Sequence, residues 1–323
     1  MLLTVEHLRT EFPLPDGATA AAVRDVSFTL DAGRTLGLVG ESGSGKSITA
    51  FSLINLVPRP GRITGGRVLF DNVDLLTLPE SRLQTIRGRR IGFIFQEPMV
   101  ALNPVYTIGQ QIIETLQVHG LARGAQARRR AIEWLDAVSI PDAAQRADAY
   151  PHQLSGGLRQ RAMIALALCA DPSLVIADEP TTALDVTVQA EILDLLRDLR
   201  ARLGIALLLI THDLGVVAET ADDVAVMYGG RIVERGPVAD VFAHPAHPYT
   251  AGLLACLPGR GRVGEPLVAI PGTVPTLGNF PPGCGFASRC EHRLVECADV
   301  EPAGCVTGPS HEAWCHLLRE PRA

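Results

Sequence analysis

Apolar and polar residues recur along the chain with two different periods, and this separates the predicted strands from the predicted helices. Near the start, Leu3–Leu8 predicts a first strand, and apolar residues alternate with polar ones over Val23–Leu30, which predicts a second. Other short runs are largely apolar throughout, as expected for strands that helices cover on both faces. These runs are Thr35–Val39, Ile91–Phe95, Leu174–Ala177 and Ala206–Ile210.

Helical periodicity fills much of the sequence between these runs. From Thr107 to Val138, apolar residues recur three and four positions apart, which predicts helical structure. Strands that alternate with helices predict an α/β fold with a mainly parallel sheet, and residues 97–165 then form a helical insertion. The other predicted elements are helices over Ile48–Leu56, from Gly157 to Cys169 and over Val188–Arg202, and strands at Gly65–Phe70, Val224–Tyr228 and Arg231–Glu234.

The composition fits a folded protein of two or three domains. The 323 residues are 47% hydrophobic and 20% charged, and the net charge of −6 gives no support for a nucleic-acid partner. No apolar run approaches the roughly 18 residues of a membrane span, and Met1–Arg9 lacks the pattern of a signal peptide. We therefore expect a cytosolic chain that reaches a membrane only through partner proteins.

The sequence changes character from Ala243 onward, where prolines and glycines become frequent. This composition predicts a small, loop-rich C-terminal domain with little regular core. Five of the seven cysteines fall within Cys284–Cys315, and in a cytosolic protein such a cluster favours a metal over disulfides. A small domain of this kind needs such a staple because its own core is too small to stabilise it.

The strongest chemical signal is the segment Gly40–Ser47, which fits the phosphate-loop pattern G-x-x-x-x-G-K-[ST] at every position. It follows a predicted buried strand and precedes a predicted helix, whose first N–H groups attract anions. The Lys46 ammonium can reach the terminal phosphates of a nucleotide, and the Ser47 hydroxyl can bind Mg²⁺. The alternative, an ordinary glycine–serine turn, leaves the Lys-Ser ending unexplained. The candidate nucleotide ligands in this loop are Gly40, Ser42, Gly43, Gly45, Lys46 and Ser47.

Two acidic residues, Asp178 and Glu179, follow another buried strand. A carboxylate at a strand end can hold Mg²⁺ through its water shell, and its neighbour can accept a proton from an attacking water. We therefore assign the metal to Asp178 and the base to Glu179; the alternative is an acidic pair at a helix start before Pro180. Gln96 and His212 also follow predicted strands, although each by itself would be an ordinary structural residue.

Six short motifs stand in the order found in the ATPase subunits of ABC transporters, and the chain resembles those subunits from Met1 to about Ala255. The resemblance implies a P-loop NTPase (RecA-like) core with an N-terminal antiparallel β subdomain and a helical signature subdomain. The motifs are Gly40–Ser47 (Walker A), Gln96 (Q-loop), Leu154–Gly157 (ABC signature), Leu174–Glu179 (Walker B), Ala183–Asp185 (D-loop) and His212 (H-loop).

The resemblance also implies a role for each residue at the chain's own nucleotide. Glu179, Gln96 and His212 are the catalytic residues at the γ-phosphate and the attacking water. Mg²⁺ is held by Ser47, Gln96 and Asp178. Phe12 stacks on the nucleotide base, for which the alternative is a core aromatic residue at a strand end.

The signature implies that a second subunit is required. In the family, Ser155, Gly156 and Gly157 of one subunit close on the ATP bound to the other, so that ATP joins a head-to-tail dimer. Asp185 of the D-loop is a further candidate residue of the nucleotide site. Leu158 stands where the commonest signature has glutamine. This departure leaves open whether the ATP site that Leu158 borders is the weaker of the two ATP sites of the dimer.

Three segments narrow the resemblance to the ATPases of bacterial dipeptide/oligopeptide importers: Glu97–Pro104, His247–Thr250 and the cysteine-bearing tail. The implied function is ATP-driven import of di- or oligopeptides; the alternatives are import of another small solute, or a soluble ABC ATPase that is not tied to transport. The implied domains are an ATPase domain, 1–255, and a C-terminal extension, 256–323.

The implied partners follow from that function. They are a second ABC ATPase subunit, for which a different chain is favoured, two membrane-spanning permease subunits and, indirectly, an extracytoplasmic peptide-binding protein, with no nucleic acid. Such a complex places the chain at the cytoplasmic face of the bacterial inner membrane.

The tail cysteines have three alternative states. Four thiolates can hold a zinc ion or an iron–sulfur cluster. Zinc sites usually show closer cysteine pairs than the spacing C-x5-C-x6-C-x17-C found here. The tail also resembles that of peptide-importer ATPases whose four cysteines bind a [4Fe–4S] cluster, so that cluster is the leading expectation, with zinc or free thiols as alternatives. The candidate ligands are Cys284, Cys290, Cys297 and Cys315, with Cys305 as a replacement; Cys169 and Cys256 are predicted to be buried apolar side chains.

Overall fold

The structure is a computed structural model that describes residues 1–257 and 269–318. Residues 258–268 and 319–323, which belong to the predicted C-terminal extension, lie outside the described residues. The strands are β1 (Leu3–Pro13), β2 (Thr19–Leu30), β3 (Thr35–Val39), β4 (Arg62–Phe70), β5 (Val73–Asp74), β6 (Ile91–Ile94), β7 (Leu174–Asp178), β8 (Ala206–Thr211), β9 (Asp223–Tyr228), β10 (Arg231–Pro237), β11 (Gly304–Gly308) and β12 (His311–Trp314).

The helices alternate with these strands, as predicted. They are α1 (Lys46–Leu53), α2 (Glu80–Ile86), α3 (Pro98–Ala101), α4 (Ile108–Val118), α5 (Gly124–Ala137), α6 (Ala143–Arg146), α7 (Gly156–Leu168), α8 (Val186–Leu203), α9 (Leu214–Thr220), α10 (Val238–Ala243) and α11 (Pro248–Ala255). Within the described ranges, no helix has both the length and the apolar character that a membrane span requires.

The described residues pack into two compact units. The first unit contains Met1–Leu30, Thr35–Leu76 and the described residues from Thr211 onward. The second contains Asp31–Arg34 and Thr77–Ile210. The helical insertion expected at about 97–165 therefore lies within the second unit, and the tail lies within the first.

An antiparallel sheet at the amino terminus of the first unit has the strand order β2-β1-β4-β5. The first strand extends to Pro13 rather than ending at Leu8, and the second begins at Thr19. Phe12 is therefore paired within a strand, opposite Ala20. Both strands are longer than the sequence pattern predicts, because register shifts interrupt their alternation of apolar and polar residues.

The same unit also holds a mixed set of strands, in which antiparallel strands extend a parallel pair. β3 is parallel to β9, but β9–β10, β10–β12 and β12–β11 are all antiparallel. Strands β11 and β12 form a hairpin that the sequence analysis did not predict, since the tail was expected to be loops. The hairpin extends the sheet by pairing β12 with β10.

A fully buried carboxylate fastens this hairpin to the rest of the unit. Glu234 in β10 has no exposed surface and accepts hydrogen bonds from the backbone N–H groups of Ala246 and His247 at 2.7 and 2.9 Å. Its other contact is with Nε2 of His311 in β12, at 2.8 Å. Because each buried charge needs such partners, the hairpin has a defined place against β10.

The tail also contributes to the hydrophobic core of the first unit. Phe286 is buried among side chains of β9, α9 and α11, and its ring meets Tyr228 edge-to-face at 5.3 Å. Cys284 and Cys290 pack against the same core. The residues on either side of the predicted domain boundary at 255/256 therefore share one core.

The second unit contains three parallel strands in the order β8-β7-β6. All residues of β7 and β8 are buried, which explains their continuous apolar sequences. The helical stretch expected from Thr107 to Val138 is two helices, because α4 ends at Val118 and Gly120 has a left-handed φ of 69°. The Thr107 side chain begins α4 by accepting a hydrogen bond from the Gln110 N–H.

Candidate functional site

The phosphate loop joins the buried strand β3 to helix α1, in the first unit. Gly40 lies so close to β9 that an added Cβ would be 2.1 Å from the carbonyl oxygen of Met227. Gly45 has a left-handed φ of 102°, and a Cβ there would be 2.5 Å from the carbonyl oxygen of Ala22. Only glycine fits at these two positions, so the pattern read from the sequence corresponds to a real steric requirement.

Lys46, the first residue of α1, places a cation inside this loop. Its side chain is almost fully buried, and its ammonium donates to the carbonyl oxygens of Gly40 at 2.7 Å and Glu41 at 3.0 Å. Ser47 follows it, partly buried. The Ser44 hydroxyl is buried without a hydrogen-bond partner among the described residues, so the loop holds a polar atom that a ligand can satisfy. This combination of a cation, a helix N-terminus and an unsatisfied polar atom fits a bound phosphate group.

Lys46 also differs in chemical type from every other basic residue of the chain. Lys46 is the only lysine among the 29 basic residues of the chain, and all the others are arginines. An ammonium is a compact point charge, whereas a guanidinium is a planar fork. Apart from the amino terminus, Lys46 is therefore the one primary amine of the protein.

Two further predicted nucleotide contacts lie in the same unit. His212 is exposed immediately after β8, where the next residue, Asp213, caps helix α9 by accepting from the Gly215 N–H at 2.7 Å. Phe12 is partly buried and its ring lies against Gly61, where a Cβ would approach it to 2.5 Å. The roles of His212 at the γ-phosphate and Phe12 at the base stay predictions.

The acidic pair ends strand β7, in the second unit. Asp178 is the last residue of the strand and is 3% exposed. Glu179 has a left-handed φ of 45°, and its backbone N–H donates to the carbonyl oxygen of Ile210 at 2.9 Å. That conformation costs a residue other than glycine about 1 kcal/mol, and such strain concentrates at functional sites.

Two donors fix the position of the Glu179 carboxylate. Its Oε2 accepts hydrogen bonds from the Thr182 hydroxyl at 2.8 Å and from the Gln96 amide at 3.1 Å. Gln96 lies two residues beyond β6, 83 positions before Glu179, so the fold brings together two residues that the motifs only suggested were related. Thr182 was missed by the sequence analysis, although its place three residues after the predicted base was a signal available there.

The signature and the D-loop residue each begin a helix of the second unit. Ser155 caps α7 and accepts from the Leu158 N–H at 3.4 Å, while Asp185 caps α8 and accepts from the Val188 N–H at 3.0 Å. A Cβ on Gly157 would lie 2.8 Å from Val188 Cγ1, so this glycine lets the two helix starts approach each other. Gly156 has no such close neighbour, because its added Cβ would make only ordinary contact.

The four candidate ligands of the tail come together in the first unit. The Cys284 N–H donates to the carbonyl oxygen of Cys297 at 2.9 Å. Burial raises the pKa of Cys315 to about 11, and the Cys284, Cys290 and Cys297 thiols act in the same direction. None of the seven cysteines, all of which are described, forms a disulfide.

The fit to a metal is incomplete. Among residues 1–257 and 269–318, no group of three or more His, Cys, Asp or Glu side chains is arranged to hold a metal ion. Four thiols have the donor chemistry of an iron–sulfur cluster or a zinc ion, and the cluster stays a prediction. Of the other cysteines, Cys305 is partly exposed in β11, Cys256 is partly buried, and Cys169 is buried, which raises its thiol pKa to about 12.

Comparisons with known proteins agree with this geometry. Residues 23–182 match the family model described as "ABC transporter", and residues 233–297 match "Oligopeptide/dipeptide transporter, C-terminal region". A protein of Brucella abortus (strain 2308) named "Putative peptide import ATP-binding protein" is 52% identical over 95% of this chain and 92% of its own length. A second protein of the same name and organism is 49% identical over 99% of this chain and 98% of its own length.

Solved structures give the same result for the fold. A dimeric ATP-binding cassette, MJ0796, bound to ADP and Pi in a post-hydrolysis state, superposes with a TM-score of 0.63 and is 28% identical. The match covers 73% of this chain and 98% of the cassette. Its fold, together with the phosphate loop and the Asp178–Glu179 strand end, defines an ATP-binding cassette and confirms the predicted P-loop NTPase class.

The chain belongs to the ATPase family of ABC transporters, and within it to the members that carry the oligopeptide/dipeptide transporter C-terminal region. Activity as an ATP hydrolase follows from that membership.

Proposed function

We propose that this protein binds and hydrolyses ATP to power the import of di- or oligopeptides through a membrane ABC transporter. The observation that carries the ATPase part is the Glu179 carboxylate, held by Thr182 and Gln96 next to the buried Asp178. The peptide cargo is supported by the matched C-terminal region and by the names of the relatives. No residue of this chain is required to touch the cargo.

Each residue near the nucleotide has a task that its environment allows. The phosphate loop and Lys46 bind the phosphates, which the buried ammonium and the start of α1 attract. Ser47, Asp178 and Gln96 would hold Mg²⁺, which would neutralise phosphate charge. Glu179 accepts the proton of the attacking water, and its two hydrogen bonds keep the carboxylate in one orientation.

The signature residues serve a second ATPase subunit. Ser155, Gly156 and Gly157 begin helix α7, whose N-terminus attracts the γ-phosphate bound to that subunit, and Asp185 lies at the start of the neighbouring helix. The dimeric state of the cassette MJ0796 supports this arrangement. We propose a heterodimer on two permease subunits at the cytoplasmic face of the inner membrane, which a peptide-binding protein loads from outside.

Purification of the whole complex tests this function. When co-expressed with the permease and ATPase genes next to its own, the protein should co-purify with both permeases. In vesicles, peptide-loaded binding protein should raise ATP hydrolysis several-fold, because cargo delivery closes the ATPase dimer. Binding protein without peptide is the control. Stimulation by a different class of solute would show that this class, and not peptides, is the cargo. Failure to associate with any membrane subunit would contradict the transport role.

We also propose that the C-terminal extension, 256–323, holds a [4Fe–4S] cluster on Cys284, Cys290, Cys297 and Cys315. The support is the chemistry of the four thiols, two of which, Cys284 and Cys290, pack against the core of the first unit. The cluster is structural, since ATP hydrolysis needs no electron transfer.

Anaerobic purification should give brown protein that absorbs at roughly 400 nm and carries about four irons per chain. Cys290→Ser should lose most of the iron because it removes a ligand. Cys256→Ser is the matched control, since Cys256 directly follows α11, is not a candidate ligand and should leave the iron content unchanged. Colourless wild-type protein with one zinc would reject the cluster, and protein without metal whose thiols all react freely would reject the site.

A further inference from the structure

A buried arginine of the tail reaches the phosphate loop. Arg289 lies between Cys284 and Cys290 in sequence, and its side chain is 5% exposed. Its Nη1 donates to the Glu41 carboxylate at 2.8 Å, across 248 positions of sequence. Its Nε and Nη2 donate to the carbonyl oxygens of Pro271 at 2.8 Å and Ile270 at 3.3 Å, so the guanidinium is fixed on three sides.

Aromatic packing holds the same guanidinium in place. It lies 5.8 Å from the ring centroids of both Tyr228 and Phe286, which belong to the core that the tail shares with β9 and α11. A planar cation suits such a site better than an ammonium, because it can stack and form several directed hydrogen bonds at once. Arg289 is therefore a rigid part of the first unit rather than a mobile surface charge.

Glu41 is held through its side chain and through both backbone polar groups. Its N–H donates to the hydroxyl of Tyr249, a fully buried residue of α11, at 2.9 Å. Its carbonyl oxygen accepts from the Lys46 ammonium at 3.0 Å and from the Ser44 N–H at 3.2 Å. The residue that Arg289 binds is thus the residue that also positions Lys46.

We propose that Arg289 is a positioning residue that sets the affinity of the phosphate loop for nucleotide by neutralising and restraining the Glu41 carboxylate. This inference rests on the proposed ATP binding by that loop. It gives the C-terminal extension a direct effect on the nucleotide site of its own chain, separate from any metal it holds.

The physical reason is competition for a single cation. A free Glu41 carboxylate would repel a triphosphate and could pair with Lys46, which the phosphates need. Arg289 prevents both by pairing with the carboxylate, and the Arg289 end of this contact is buried. The pair also fixes the Glu41 carbonyl that orients the ammonium.

Direct ATP-binding measurements on the full chain test this inference. Arg289→Gln should weaken binding about tenfold, because Glu41 then carries an unpaired charge. Arg289→Lys should recover part of the affinity by restoring the charge without the fork. Arg289→Gln/Glu41→Gln should return to within about threefold of wild type, since the competing carboxylate is gone. In steady-state assays KM should rise while kcat stays within about threefold.

Arg293→Gln is the matched control, because Arg293 is an exposed arginine of the same tail segment and should leave affinity unchanged. Thermal unfolding of each variant establishes that it is folded. If Arg289→Gln does not fold, a comparison of Glu41→Gln with Glu41→Ala tests the pair from the Glu41 side. Arg289→Lys then tests it from the Arg289 side.

The possible outcomes separate the hypotheses. Folded Arg289→Gln protein that binds ATP as wild type does would overturn the inference. Equal weakness of Arg289→Gln and the double variant would also overturn it, because that pattern means general damage to the tail. A wild-type protein that fails to bind ATP would instead reject the proposed function.

Discussion

Glu179→Gln is expected to bind ATP normally and to hydrolyse it about 10²–10⁴-fold more slowly than the wild type, which is the usual loss when a general base is removed. The amide keeps the shape of the side chain and can still accept from the Thr182 hydroxyl, which lies 2.8 Å away in the wild type. It cannot take a proton from the attacking water. Steady-state ATPase activity and equilibrium ATP binding, measured on the same preparation, separate these two effects.

The same variant should accumulate as an ATP-bound dimer, because ATP joins the subunits and only hydrolysis releases them. Size-exclusion chromatography with and without Mg-ATP detects this dimer. Glu219→Gln is a matched control, since Glu219 is exposed on α9 and should leave turnover and dimerisation unchanged. Turnover near the wild-type rate in Glu179→Gln would reject the assignment of the base.

Lys46→Ala is expected to weaken ATP binding about 100-fold, equivalent to about 2.7 kcal/mol, because it removes a largely desolvated, charge-assisted contact to phosphate. Lys46→Arg should lose affinity as well, although less, since the larger planar guanidinium cannot occupy the space between the Gly40 and Glu41 carbonyls. Titration with a fluorescent ATP analogue measures both affinities.

The single lysine of the chain offers a second measurement on unaltered protein. An amine-reactive reagent can label only Lys46 and the amino terminus. Saturating ATP should protect Lys46 severalfold while the amino terminus, the internal control, continues to react. Equal labelling of Lys46 with and without ATP, together with unchanged affinity in Lys46→Ala, would reject the phosphate-loop assignment.

The nucleotide-binding residues could largely be found in the sequence because the constraints on them are local. A buried strand, a turn that admits only glycine at Gly40 and Gly45, and a helix beginning at Lys46 lie within a few residues of one another. Likewise, the apolar run before Asp178 predicts a strand buried on both faces, which β7 is. Side-chain periodicity and steric limits of this kind act between neighbours, so they leave a direct pattern in the chain.

The contacts that orient those residues depend on pairs that no local pattern connects. Gln96 meets Glu179 across 83 positions, Arg289 meets Glu41 across 248, and His311 meets Glu234 across 77. The hairpin β11–β12 was missed for the same reason: most of β11 is exposed, so its composition resembles that of a loop. β11 is a strand because it pairs with β12, which in turn pairs with β10, and the position of Arg289 comes from its contacts with Tyr228 and Phe286 of the core. The sequence alone determined the cassette and its chemistry, whereas the attachment of the tail to the phosphate loop was decided by tertiary packing, because buried charges are stable only beside partners that the folded chain supplies.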